Sequence, residues 1–232
     1  YIAQRRKANE RQRRTTSDIS SILDIEMNMN VQPNTEIQLV FDPTVRDAIK
    51  ARGSGQLTQH TVPKTGTVET SGQYTITEGT YLFTLQNIIN KKFVVKPGSS
   101  ILWSGDPLDA VLNINAIYNT KASLKPLIGN SLRGVDMSRT VPVECYIILT
   151  DNLMSPTVTF DIKVPNAAPE IQTVIQSALN DQQAIATQMF WLLAAGTFSA
   201  EDTGAMGATI SATTGFELLS NQLSNWLSGD NY

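Results

Sequence analysis

Residues 72–120 read GQYTITEGTYLFTLQNIINKKFVVKPGSSILWSGDPLDAVLNINAIYNT, and this stretch decides the fold. Its apolar side chains recur at intervals of two, which is the period of a strand with one buried face. Three turn sequences are able to reverse the chain, since glycine accepts positive φ and proline fixes φ: Glu78-Gly79, Pro97-Gly98 and Gly105-Asp106-Pro107. We therefore predict a meander of antiparallel strands without helical crossovers. The shared faces are Tyr81, Phe83 and Leu85; Phe93 and Val95; Ile101 and Trp103; and Leu112, Ile114, Ala116 and Tyr118.

Alternating apolar residues also flank this stretch on both sides. Before it, residues 23–31 and 37–41 predict two strands joined by a turn at Pro33-Asn34, and residues 45–51 suggest a short helical or coiled excursion. After it, Leu124, Leu127 and Leu132 are expected to lie under the sheet edge. Two more strands follow, joined by a hairpin over residues 151–156. Their inward residues are Val143, Cys145, Ile147 and Leu149, and then Val158, Phe160, Ile162 and Val164.

Helical spacing begins only after Pro165. Asn166 is a plausible N-cap, and apolar residues from Ile171 to Leu193 recur at three and four, which predicts one long helix closed by Gly196. Residues 199–215 are small and flexible in composition. A second amphipathic helix, ending at Gly229, is then predicted from Phe216, Leu219, Leu223, Trp226 and Leu227.

The predicted helices are too few to cover the apolar face of so long a sheet, and both lie at its C-terminal end. The fold class we predict is therefore mainly β, a curled antiparallel sheet forming a groove or half-barrel, with two C-terminal amphipathic helices. The predicted divisions are a basic segment and connector (1–22), the groove (23–165) and a helical cap with an amphipathic tail (166–232). An ordinary sandwich core remains the alternative explanation of the same apolar residues.

Composition excludes several classes of function. The formal charge of −3 and the pI near 5.2 argue against nucleic-acid binding. Residues 1–14 carry six basic residues, but no aromatic side chain lies among the arginines for bases to stack on, so a solvated segment is favoured over a nucleic-acid-binding arm. The chain begins with Tyr, has no apolar run of 18 residues and shows no signal peptide, so we expect a fragment of a longer protein.

Catalytic and metal-binding constellations are missing from the sequence. One cysteine, Cys145, and one histidine, His60, predict no disulfide, no metal site, no cofactor and no nucleophilic catalysis. The Gly53-Ser54-Gly55 stretch lacks the lysine and third glycine of a phosphate-binding loop, so it is interpreted as a bulge or tight corner. We expect no enzyme activity.

Three segments of the alternating pattern carry a family resemblance: GQYTITEGTYLF, KKFVVKPGSSILWSGDP and AVLNINAIY. They resemble the C-terminal conserved domain of the translocation and assembly module protein TamB, in its Bacteroidetes form. The resemblance continues through SLRG, FDIKVP and QMFWLLAAGTF and covers roughly Leu23 to the end. Members similar to this chain continue with further strands, so a truncation is expected after Tyr232.

The resemblance implies an AsmA-like bridge protein in the periplasm of a Gram-negative cell envelope, anchored in the inner membrane by a segment absent from this chain. It implies phospholipid acyl chains in an apolar β-groove and a C-terminal domain that meets a TamA- or BamA-like outer-membrane insertase. An assembly factor that docks on the insertase without conducting lipid is the alternative. The expected groove-facing residues are Tyr81, Phe83, Phe93, Val95, Ile101, Trp103, Leu112, Ile114, Val143, Ile147, Phe160 and Ile162. The expected docking surfaces are the last sheet edge and Phe190, Trp191, Phe216, Leu219, Leu223 and Trp226.

Overall fold

A computed structural model describes residues 23–42, 47–85, 89–129 and 138–200. Their architecture is one antiparallel sheet of eight strands that curls, followed by helices, which confirms the predicted fold class. The strands are β1 (Ile25–Asp42), β2 (Asp47–Val62), β3 (Thr67–Leu85), β4 (Ile89–Val95), β5 (Ser100–Gly105), β6 (Val111–Ser123), β7 (Thr140–Asn152) and β8 (Thr157–Lys163). The helices are a 3₁₀ turn (Pro107–Asp109), α1 (Lys125–Ile128), α2 (Pro169–Ala178) and α3 (Gln182–Ala195).

The strands follow one another across the sheet in the order β1-β2-β3-β4-β6-β7-β8, and β5 pairs with β3 and β6. Strands β4 and β5 run in line, since Gly79 of β3 lies opposite Val95 while Tyr74 lies opposite Ile101. The Pro97-Gly98 sequence is therefore a bulge within one broken strand, and its prediction as a reversal was wrong. The bulge is held from both sides, because Gly98 N–H donates to the Ile76 carbonyl at 2.9 Å and the Ser99 carbonyl accepts from Ile76 N–H at 2.7 Å.

Two other predicted turns also lie inside continuous strands. Pro33-Asn34 belongs to β1, where the pairing shifts between Val31 and Thr35, and Glu78-Gly79 belongs to β3. In each case the chain accommodates extra residues as a β-bulge, which bends the strand without ending it. The predicted excursion at residues 45–51 is likewise replaced by strand over residues 47–51, while residues 45 and 46 lie outside the described part. The reversal at Gly105-Asp106-Pro107 and the hairpin after Asn152 are confirmed.

The two glycines of the Gly53-Ser54-Gly55 stretch let β2 and β3 approach closely. A Cβ at Gly53 would lie 2.1 Å from the Thr75 carbonyl oxygen, and one at Gly55 would lie 2.1 Å from that of Gln73. The β2–β3 register also shifts between Arg52 and Gly53. The interpretation as a bulge is confirmed.

The predicted long helix is in fact two helices. Asn166 has a left-handed backbone with φ of 64° and caps nothing; α2 begins with Pro169 after Ala168. The break falls before Asp181, because its carboxylate accepts from Ala184 N–H at 2.7 Å and so starts a new helix, α3. Gly196, with φ of 70°, closes α3 as predicted. The predicted helix from Phe216, the basic segment and Leu132 lie outside the described residues.

Helix α3 lies inside the curl of the sheet. It packs on β8 and reaches across to β4, and its buried residues form one hydrophobic cluster with those of the strands. A helix of the same chain therefore packs on the apolar face of the sheet at β8 and β4.

Candidate functional site

The twelve predicted groove residues lie on one face of the sheet, here called the inner wall. The register places Tyr81 opposite Phe93 and Ile147 opposite Phe160, so the wall runs without interruption from β3 to β8. Trp103 is half-buried and its indole N–H donates to the Pro107 carbonyl at 3.1 Å. The other eleven are at most 5% exposed: Tyr81, Phe83, Phe93, Val95, Ile101, Leu112, Ile114, Val143, Ile147, Phe160 and Ile162.

An aromatic cluster occupies the middle of the inner wall. The Phe93 ring centroid lies 6.3 Å from that of Tyr81, 6.1 Å from Phe83 and 5.6 Å from Tyr118. The Lys91 ammonium, paired opposite Phe83, lies 5.7 Å from the Tyr118 ring centroid. The wall is therefore apolar in the middle, with one cation near Tyr118.

Sequence reasoning missed part of the inner wall. Ile49, Ala51, Tyr74 and Ile76 are at most 2% exposed and extend the wall onto β2 and β3. Tyr74 and Ile76 were missed because the alternation changes phase at the bulge around Thr77, so even-numbered residues face inward before it and odd-numbered residues after it. A change of phase inside an otherwise unbroken apolar alternation is the signal that could have revealed them.

Helix α3 covers the wall with one side of its surface, formed by Ala186, Met189, Phe190, Leu192 and Leu193. The first residue of α3, Gln182, holds the helix to the edge of the sheet. The Gln182 carboxamide accepts from Phe160 N–H at 3.3 Å and donates to the Phe160 carbonyl at 3.4 Å. Since β8 pairs with β7 alone among the strands that the structure describes, these two backbone groups are the ones that an added strand would use. The last sheet edge, a predicted docking surface, is thus occupied at Phe160.

The open part of the inner wall lies on β1. Leu23, Ile25 and Met27 are each 46% exposed, although they alternate in phase with Val31, which packs against the core. We call Leu23, Ile25, Met27 and Met29 the open strip. The intervening residues point to the outer face and are polar, so the strip is apolar on one side only.

The predicted helical docking residues have separate surroundings. Phe190 is completely buried in the core, while Trp191 is half-buried and packs edge-on against it with ring centroids 5.9 Å apart. The Trp191 indole nitrogen is buried and has no hydrogen-bond acceptor among the described residues. Phe216, Leu219, Leu223 and Trp226 lie outside the described residues.

A shallow hollow of about 440 Å³ lies on the outer face of the sheet. Arg52 spans it, with its guanidinium 3.7 Å from the Glu36 carboxylate and 3.3 Å from that of Glu78. All three side chains are more than half exposed, so this is a solvated ion-pair group and is separate from the inner wall.

The cysteine, Cys145, is buried in the core, and the histidine, His60, lies beside two carboxylates. Burial raises the pKa of the Cys145 thiol to about 12, so it stays protonated and unreactive near neutral pH. His60 is half-buried on β2 and lies beside Asp24 and Glu69. Within the described ranges, no three His, Cys, Asp or Glu side chains gather as metal ligands, and no helix has the length and apolarity to cross a membrane.

Comparison with known families finds one match that covers nearly the whole chain. A family model described as the TamB C-terminal domain matches residues 2–230. No curated protein matches the chain.

Proposed function

Because the chain belongs to the family of TamB C-terminal domains, we propose that it is part of a periplasm-spanning bridge whose apolar β-groove carries phospholipid toward the outer membrane. The family acts in the translocation and assembly module, a system of outer-membrane assembly and lipid transport in the Gram-negative cell envelope. Its members are non-enzymatic bridge or assembly components and work with a TamA-type insertase.

The observation that carries the proposal is a one-sided apolar surface that continues from the open strip into the covered inner wall. Exposing a CH₂ group to water costs about 0.8 kcal/mol, so a two-chain lipid of about 30 methylenes costs on the order of 24 kcal/mol to expose fully. A continuous apolar surface removes most of that barrier. Headgroups stay at the solvent side of the groove, and no residue needs to react.

On this proposal, acyl chains first contact the open strip on β1. The twelve residues of the wall come into contact with lipid only where the elements packed on them, such as α3, move aside, since eleven of the twelve are at most 5% exposed. Helix α3 carries no charged residue, and its hold on β8 includes the two Gln182 hydrogen bonds. Separating α3 from the sheet therefore breaks no salt bridge of the helix, and acyl chains replace its apolar contacts.

The divisions of the chain have separate roles in the proposed bridge. In it, the C-terminal division (166–232) docks on the TamA- or BamA-like insertase, the groove (23–165) carries lipid, and residues 1–22 are the basic segment and connector.

Native mass spectrometry of the purified chain tests lipid binding. The parent protein is compared with a variant that carries a charge on the open strip. We expect phospholipid adducts on the parent protein and at least a tenfold loss of them in Met27→Asp, because a carboxylate next to an acyl chain is not solvated. Asn30→Asp is the matched control, since Asn30 is exposed on the outer face of the same strand. Equal adduct levels in the two variants would refute binding at the strip.

A docking factor without lipid conduction is the second candidate function. The observation in its favour is the burial of the inner wall, because a closed core needs no lipid. A chain that carries no phospholipid in native mass spectra and still binds the insertase supports this candidate. Loss of insertase binding in a lipid-free chain counts against both.

A further inference from the structure

The charged side chains of the sheet are sorted toward its two ends. At one end, here called the basic end, β4 and β7 begin while β6 and β8 finish, since Ser123 pairs with Thr140 and Glu144 pairs with Lys163. Among the described residues, Glu144 and Glu170 are the acids on β4, β6, β7, β8 and the adjoining α1 and α2 at this end. Six basic residues lie there, all exposed except the half-buried Lys91: Lys91, Lys92, Lys121, Lys125, Arg139 and Lys163.

The opposite end of the sheet carries the reverse charge and is here called the acidic end. Strands β1 and β6 begin there, and β2, β5 and β7 finish there, with Glu26 and Glu69 both paired with His60. Beside the acids of this end, the described basic residues are Lys64 and His60. The sheet therefore has a charge dipole along its strands. The acids are all exposed: Asp24, Glu26, Glu69, Asp106, Asp109 and Asp151.

The cations of the basic end have few counterions in the described part of the chain. One ion pair reaches them there, between Lys163 Nζ and the Asp161 carboxylate at 3.5 Å. The Glu144 carboxylate instead accepts from the Tyr146 hydroxyl at 2.7 Å. Because like charges without counterions create a positive potential, this end of the sheet attracts an anionic partner.

The sequence around the basic end does not offset this charge. Residues 130–137 contain one Arg and one Asp, and residues 86–88 contain no charged residue. Asp42 and Asp47 are paired with each other on β1 and β2, and β3 lies between these two strands and β4. The excess of positive charge thus belongs to the side of the sheet that β4, β6, β7 and β8 form.

The residue types of the basic end favour a lipid surface over a protein partner. Five of the six cations are Lys, which is depleted from protein–protein interfaces, whereas Arg is enriched in them. Val94 is the one exposed large apolar residue that the structure describes at this end of β4, β6, β7 and β8. A protein interface needs a packed apolar or aromatic centre, but attraction to charged headgroups acts without one.

We propose that the basic end attaches this domain to a membrane surface of anionic phospholipid headgroups, with the strands directed away from that surface. Clusters of roughly four to eight Lys and Arg residues are typical of binding to anionic lipid. The same surface repels the acidic end, so the charge dipole sets the orientation as well as the attraction. The inference goes beyond the proposed function, because it concerns headgroups outside the groove and holds whether or not acyl chains enter the groove.

Cosedimentation of the full chain with vesicles tests the attachment. The vesicles contain equal parts of phosphatidylcholine and phosphatidylglycerol, or phosphatidylcholine alone. We expect binding to the anionic vesicles alone, and we expect salt to weaken it because exposed charges are screened. A variant with Lys92→Gln, Lys121→Gln and Lys125→Gln should bind the anionic vesicles at least tenfold more weakly. Absence of binding by the parent chain would overturn the proposal.

The matched control places the same change of net charge outside the basic end. Lys64→Gln, Gln73→Glu and Asn113→Asp alter three exposed positions, and we expect this variant to bind like the parent chain. Equal losses in the two variants would mean that net charge governs binding, which contradicts the proposal. Both variants keep residues 1–14, so undiminished binding of the first variant would assign the attachment to another cationic segment and would also contradict it.

Fluorescence energy transfer to a labelled vesicle lipid tests the orientation. A fluorophore is attached through Thr140→Cys at the basic end or through Thr157→Cys at the acidic end, and the native Cys145 is buried. We expect stronger transfer from position 140. Equal transfer, or stronger transfer from position 157, would refute the orientation. Self-association without vesicles that the first variant abolishes would assign the basic end to the acidic end of a second copy, and so would overturn the proposal.

Discussion

Phe93→Ala lowers the free energy of unfolding by about 3–5 kcal/mol. Phe93 is completely buried, and three aromatic rings lie within 6.3 Å of its own ring centre. Truncation leaves a cavity in the middle of the inner wall, where the strands on either side are fixed by backbone pairing and cannot close it. Urea unfolding followed by circular dichroism measures the change.

Val94→Ala is the matched control for this prediction. Val94 is the next residue on the same strand, but it points to the outer face and is 53% exposed. Its truncation should change stability by no more than about 0.5 kcal/mol. Equal losses in the two variants would mean that the inner wall is not the packed core of the described sheet.

Gly55→Ala is expected to cost about 3 kcal/mol or more, which is beyond the usual range for added methyl groups. The new Cβ would lie 2.1 Å from the Gln73 carbonyl oxygen, and the clashing atom is backbone that is itself paired in the sheet. The β2–β3 pair has to separate or change register, and the resulting loss of stability is measured by thermal unfolding.

Gly98→Ala separates this steric effect from the cost of backbone conformation. Gly98 has φ of 89°, but nothing lies within 4 Å of the position of its Cβ. The loss of stability at this position therefore comes only from holding Ala in a left-handed backbone, which costs about 1–2 kcal/mol. A larger loss in Gly98→Ala than in Gly55→Ala would contradict the close approach of β2 and β3.

The strand faces were predictable because alternation at twos is a local signal. Phe93 and Val95, or Cys145 and Ile147, reveal their common face without any knowledge of neighbouring strands. Bulges were not predictable in the same way. Pro33-Asn34 and Pro97-Gly98 have the composition of turns, and only the pairing of distant strands determines that the chain continues straight through them.

The candidate site was predictable as a face, whereas its accessibility was not. The alternation places Met27 and Ile114 each on the apolar face of its own strand, yet one is 46% exposed and the other is completely buried. The difference comes from tertiary position, because Ile114 lies on β6 within the common hydrophobic cluster, whereas Met27 lies on β1 at the edge of the sheet. The contacts of that cluster join residues far apart in sequence, and no local pattern encodes them.

Site-specific photo-crosslinking in cells tests most directly whether lipid uses the inner wall. A photoreactive amino acid replaces Met27 on the open strip in one variant and Asn30 on the outer face of the same strand in another. The account predicts phospholipid crosslinked at position 27 and none above background at position 30. Absence of lipid at position 27, or equal crosslinking at both positions, would contradict lipid carriage along this wall.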